Sequence, residues 1–185
     1  IMSTTTKRAL ATSLKHLLTK KPLDKITIGD ICEDCEVNRQ TFYYHFKNIY
    51  DLIDWIYSSE VIQAVDNNKT YSTWEEGFNR VFAYAIENKT FVLSTFHSIG
   101  FEQLEEFLYR VTYDLLIGVI NEKCEEVRIR EEDKVFIANF YKYAFVGVVL
   151  DWVKHGMKQD PNIIMKHIGI LIEGNFLQSI ERFSM

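Results

Sequence analysis

Apolar residues recur at helical spacing along nearly the whole chain. Leu10, Leu14, Leu17 and Leu18 mark one face of a first helix, expected over Thr4 to Lys20. Ile28, Ile31, Cys32 and Cys35 fall at offsets 0, 3, 4 and 7 and form the stripe of a second. Thr27 and Asp30 resemble a capping box at its start, with Asp in place of the usual Glu or Gln. Asn38 suits the N-cap of a third helix ending near Phe46, and Asn48 with Asp51 opens a fourth that reaches toward Asp66.

The pattern continues as helix. Ser72 with Glu75 forms a capping box for a segment ending near Asn88, followed by Thr90 to Ile99, with Gly100 as its stop. A longer helix is expected over Phe101 to Cys124, then a polar link at 125–130, then Glu131 to His155 and Pro161 to Phe183. Gly156 suits the end of one and Asp160-Pro161 the start of the other. No segment alternates as a strand does, and 2 Pro and 8 Gly leave few turns for a sheet. The expected fold is all-α, with about nine helices. An N-terminal three-helix helix-turn-helix domain spans 1–50, and a C-terminal helical ligand and dimerisation domain spans 51–185.

Composition narrows the function. With 47% hydrophobic and 25% charged residues, wholesale disorder is excluded. Three cysteines are an odd count that argues against a disulfide framework and for a reducing cytoplasm. No stretch approaches the roughly 20 uncharged apolar residues of a membrane span, so no membrane partner is expected. Ile1 ahead of Met2 is read as an addition to the natural start. Residues 1–50 hold 8 Lys and Arg against 5 Asp and Glu, a surplus of three; residues 51–185 hold 13 against 21, a deficit of eight. Only the N-terminal segment suits a polyanion.

At 100° per residue the third helix has two unlike faces. Phe42 and Phe46 share one direction, while Gln40, Tyr43, Tyr44 and Lys47 fall opposite, with Arg39 and Thr41 flanking at the N-terminal end. Arg pairs with guanine edges, Gln with adenine, and Thr meets a thymine methyl or a polar edge. Tyr hydroxyls, Lys and the first amides of helix 2 suit phosphates. The plainer alternative is a solvated face of a small bundle. The face follows a three-residue turn, Glu36 to Asn38, and has no carboxylate from Val37 to Tyr50, which favours double-stranded DNA.

The run Thr27 to Lys47, and above all Thr41-Phe42-Tyr43-Tyr44-His45-Phe46, resembles the signature of TetR-family transcriptional regulators. The resemblance spans about residues 5–57; the remainder matches in length and helical layout. It implies that Thr27 stands at a phosphate-contacting helix start. Arg39, Gln40, Thr41 and Tyr44 would lie at or near base edges, while Tyr43, His45 and Lys47 mainly hold the backbone. It also implies a homodimer on a palindromic operator. The family often has Gly where Glu36 stands and Ala at Cys32 and Cys35. The run Tyr43 to Leu52 and the 185-residue frame are similar to a subgroup linked to dihydroxyacetone kinase operons, whose members are operon activators. In that subgroup a kinase-like co-regulator protein can sense the small molecule.

Other constellations point less far. Cys32 and Cys35 form a CxxC, yet both lie on an apolar stripe, where Cys packs as a small hydrophobe. Asp151, His155 and His167 lack a third ligand of clear spacing, so no metal is expected. His97 is either a satisfied core histidine or, with Phe96 and Tyr141, part of a pocket for a small-molecule effector. Val148, Trp152, Ile168, Ile172 and Phe176 are expected at a dimer interface of the last two helices. No phosphate loop, HExxH or GxSxG is present, so neither enzyme activity nor a cofactor is expected. The expected function is a DNA-binding regulator. The alternatives are a helical protein-interaction module with vestigial DNA binding, and a small-molecule carrier or enzyme.

Overall fold

A computed structural model describes residues 2–62, 70, 72–98, 100–125, 128–172 and 175–184. Within them all regular structure is helical: α1 (Met2–Leu18), α2 (Ile28–Asp34), α3 (Arg39–His45), α4 (Ile49–Tyr57), α5 (Trp74–Glu87), α6 (Lys89–Phe96), α7 (Phe101–Lys123), α8 (Glu131–Lys154), α9 (Pro161–Ile172) and α10 (Asn175–Arg182). The expected last helix thus appears as α9 and α10, on either side of residues 173–174, which lie outside the described residues, as does Ile1. Contacts divide the chain into two compact units, Ile1–Glu60 with Asn88–Phe107, and Val61–Glu87 with Leu108–Met185.

In the first unit α1 packs against α2, α3, α4 and α6. Leu10, Leu14, Ile31, Phe42 and Leu52 expose no surface, so the expected leucine stripe is the centre of the core. The buried Ser13 hydroxyl donates to the Ile31 carbonyl (3.0 Å) and fixes α1 on α2. Tyr57 stacks on Phe107 with centroids 4.9 Å apart. Its hydroxyl meets that of Thr95 at 2.6 Å, and burial pushes its pKa up. The fourth helix is shorter than expected: after Tyr57 a π-helical turn, Ser58–Ile62, takes over, and 63–66 lie outside the described residues.

The turn after α2 is a Schellman motif. The Val37 N–H donates to the Cys32 carbonyl (2.9 Å) and the Glu36 N–H to that of Glu33 (3.3 Å). Glu36 takes the left-handed conformation, φ 56°, that this motif needs. Asn38 caps α3 by accepting from the Thr41 N–H at 2.7 Å. The helix closes at His45 because Phe46 turns to an extended conformation (φ −141°, ψ 138°). Lys47 therefore does not continue the α3 face, contrary to the expected spacing. Its N–H donates to Asp51 Oδ2 (3.0 Å), and Asn48 caps α4.

In the second unit Phe78 stacks flat on Phe145, with centroids 4.2 Å apart, and Phe82 meets Trp152 edge-on. α5 starts at Trp74, where the hydroxyls of Thr70 and Thr73 meet at 2.7 Å. The Ser72 hydroxyl lies 3.2 Å from that of Thr70. α8 ends in a second Schellman motif, with Gly156 at φ 74° as expected and Met157 also left-handed at 57°. Asp160 caps α9 by accepting from the Asn162 N–H at 2.9 Å.

Three residues expected at a dimer interface lie instead in this unit's own core. Trp152, Ile168 and Phe176 are buried. The Trp152 indole donates to the Gln159 carbonyl (2.9 Å), and Phe176 packs on Tyr141. Val148 is exposed and Ile172 half-buried. Helical periodicity finds apolar positions, but a helix apolar on several sides does not reveal which side meets its own chain. The exposed apolar side of α8 carries Phe136, Phe140, Tyr143 and Val148, and α9 adds Leu171.

Candidate nucleic-acid interface

The interface begins with α3, whose two faces separate as expected. Phe42 and Phe46 are buried. Arg39, Gln40, Tyr43 and Tyr44 are exposed, as is Lys47 just beyond the helix; Thr41 and His45 are half-buried. Phe42 and Phe46 touch each other, Phe46 meets Trp55, and the Lys7 ammonium sits 5.4 Å over the Phe46 ring. Aromatic anchoring on α1 and α4 thus fixes the rotation of α3 and presents its polar side outward.

The cap of α3 decides what Thr41 can offer. Its hydroxyl donates to Asn38 Oδ1 at 2.9 Å, so its oxygen remains as an acceptor and its methyl group for contact. That suits a thymine methyl or a base amino group, not a base acceptor. His45 packs edge-on to Tyr44, with centroids 4.9 Å apart.

The start of α2 is built around Asp30. Thr27 accepts from the Asp30 N–H (3.1 Å), and Asp30 Oδ2 accepts from both the Thr27 N–H (2.7 Å) and its hydroxyl (2.8 Å). Lys21 completes the group, its ammonium 2.8 Å from the same oxygen. The Lys21 bond, followed by those from Thr27, lowers the Asp30 pKa to about 2 from an ordinary 3.8. Thr27 is exposed where the expectation puts it, but its hydroxyl is engaged in the cap. Lys21 neutralises a carboxylate that would otherwise repel a phosphate. Sequence reasoning found the Thr27–Asp30 pair but not Lys21, because the lysine reaches Asp30 only through the turn that carries Pro22.

Gly29 was also missed. The Arg39 guanidinium lies back against α2, with Nη2 only 2.5 Å from where a Gly29 Cβ would stand. A Gly in the first turn of a helix is the one visible signal of such close approach.

The other candidate residues do not join this surface. Phe96 packs edge-on to His97 and Phe101 in the first unit, and His97 is exposed rather than a core histidine. Tyr141 belongs to the second unit, where its hydroxyl meets Ser179 at 3.1 Å. It lines an apolar cleft of about 150 Å³ with Phe140, Val148, Ile168 and Leu171. Cys32 is buried and Cys35 half-buried, and burial pushes both thiols above their ordinary pKa, which suits packing rather than redox chemistry. His155 and Asp151 face each other one helical turn apart, 3.4 Å between Nδ1 and Oδ1.

Residues 12–55 match the family model described as bacterial regulatory proteins, tetR family, and residues 72–174 match a transcriptional regulator C-terminal region. The chain is 25% identical over 157 residues to the HTH-type dhaKLM operon transcriptional activator DhaS of Lactococcus lactis, covering 82% of this chain and 81% of that protein. The solved structure of the dihydroxyacetone kinase operon activator DhaS superposes with a TM-score of 0.73 at 22% identity, over 97% of this chain and 98% of that one. NalD of Pseudomonas aeruginosa, the secondary repressor of the MexAB-OprM multidrug efflux pump, has a TM-score of 0.56 at 13% identity, over 99% and 98%. Over both its N-terminal and C-terminal regions, therefore, the chain belongs to the tetR family of bacterial regulatory proteins and is a helix-turn-helix, DNA-binding transcriptional regulator.

Proposed function

We propose that this regulator activates a dihydroxyacetone kinase operon, binding a palindromic operator as a homodimer in the cytoplasm. The observation that carries the DNA contacts is the division of α3 into a buried Phe42–Phe46 side and an exposed Gln40–Tyr44 side. Gln40, Thr41 and Tyr44 read base edges. Tyr43, His45, Lys47 and the Thr27 end of α2 hold phosphates. The choice of operon is supported by the likeness to DhaS over most of both chains.

The apolar residues exposed on α8 and α9 support the dimer, since an exposed apolar surface this continuous calls for a partner. The small-molecule signal arrives through a kinase-like co-regulator protein. The cleft at Tyr141 supports this, because about 150 Å³ of apolar lining offers little to a polyhydroxy compound. A direct effector could instead meet the open polar groove of about 400 Å³ at Glu75, Asn79, Asn162 and Lys166.

A mobility-shift assay on DNA upstream of the adjacent operon, repeated at several salt concentrations, tests the regulator's target. A specific shift that outlasts competition by scrambled duplex is expected. Its absence from that region would remove the operon assignment. Calorimetry with dihydroxyacetone on the protein alone is expected to show no binding; a clear isotherm would replace the co-regulator with direct sensing.

A further inference from the structure

The Arg39 side chain departs from the rest of the α3 face. Arg39 is the first residue of α3 and adjoins Gln40. Its guanidinium nevertheless turns back onto α2, with Nη2 at 2.5 Å, Cζ at 3.4 Å and Nε at 3.5 Å from the place of a Gly29 Cβ. A 2.5 Å contact is closer than a real Cβ makes, so any side chain at position 29 forces the end of the guanidinium to shift from this seat. Its charge is close enough to Cys32, one turn further along α2, to oppose the rise that burial imposes on that thiol.

In a helix-turn-helix the first helix crosses the sugar-phosphate backbone while the second enters the major groove. A group seated on the first of these helices meets the groove's rim, not its floor. Here that first helix is α2. We propose that Arg39 binds a DNA phosphate rather than a base edge, and that Gly29 is the positioning residue that holds it there. This rests on the assignment of α3 to the major groove.

The test uses the full chain and two duplexes: an operator selected by the unaltered protein from a random pool, and its scrambled counterpart. Isotherms are measured over a salt series for Arg39→Ala, Arg39→Lys, Gly29→Ala and the double variant. Arg39→Ala should lose the same factor on both duplexes and lower the salt slope by about 0.9, the value for one phosphate. Arg39→Lys should restore the slope, since a point charge suffices for phosphate but not for bidentate pairing with guanine. Gly29→Ala should weaken binding without lowering the melting temperature, because Ala forms helix more readily than Gly. In the Arg39→Ala background it should change nothing.

A changed base preference with Arg39→Ala, while the scrambled duplex is unaffected, overturns the proposal. So does an equal effect of Gly29→Ala in both backgrounds. If the unaltered protein selects no sequence at all, the α3 assignment itself fails and this inference falls with it.

Discussion

Phe42 and Tyr44 lie two residues apart on α3 and occupy opposite environments: Phe42 has no exposed surface and Tyr44 is 83% exposed. Phe42→Ala should therefore cost about 3–5 kcal/mol of stability through the cavity it leaves. Tyr44→Ala should leave the melting curve in place and weaken DNA binding. Thermal denaturation followed by circular dichroism, paired with a binding titration, separates the two. Equal loss of stability from both would mean that α3 is rotated from this arrangement.

Glu36 holds a left-handed φ of 56° in the turn between α2 and α3. A non-Gly residue there costs about 1–2 kcal/mol, and Gly would return part of that as entropy of the unfolded chain, about 0.4–1 kcal/mol. Glu36→Gly should stabilise the chain by about 0.5–1 kcal/mol, raising the melting temperature by a few degrees. Glu36→Ala has the same φ problem and should not. Matched melting temperatures for the two variants would contradict this.

The Asp30 carboxylate is held at a pKa of about 2, below its ordinary 3.8. A depressed carboxylate contributes stability that is fully present above its unfolded pKa and is lost as pH falls through the folded one. The cap joining Lys21, Thr27 and Asp30 should therefore weaken between about pH 4 and pH 2. In Asp30→Asn this part of the acid loss should be missing. Stability of both forms measured by urea titration across that range checks it; parallel curves would assign the acid sensitivity to other carboxylates.

Much of the fold was legible because its signals are local. Asn38, Asn48, Gly156 and Asp160 each mark a helix end by a side chain or φ preference that acts within a few residues, and each does so in the structure. The two faces of α3 were legible for the same reason. What escaped depended on distant partners. Periodicity cannot tell that Trp152 and Phe176 face their own chain, nor that Lys21 and Arg39 both reach onto α2. Lys47 was misplaced because the 100° rule was carried past Phe46, where the chain leaves the helix.

The exposed apolar positions make a direct prediction for assembly. Phe140 is 64% exposed and Leu171 69%, so a Glu at either should leave the protomer folded. Sedimentation should then show monomers in place of dimers. Phe176→Glu, by contrast, puts a carboxylate into the core and should unfold the second unit. A soluble dimer retained by both Phe140→Glu and Leu171→Glu would move the interface elsewhere.

The central claim is that Gln40, Thr41 and Tyr44 read sequence while the residues around them hold the backbone. It is tested most directly by titrating Gln40→Ala and Lys47→Ala on operator and scrambled duplexes over a range of salt. Gln40→Ala should cost about 1–3 kcal/mol on the operator and little on scrambled DNA. Lys47→Ala should weaken both alike and lower the salt slope by about one ion. A Lys47→Ala protein with altered sequence preference, beside a Gln40→Ala protein with none, would contradict the account.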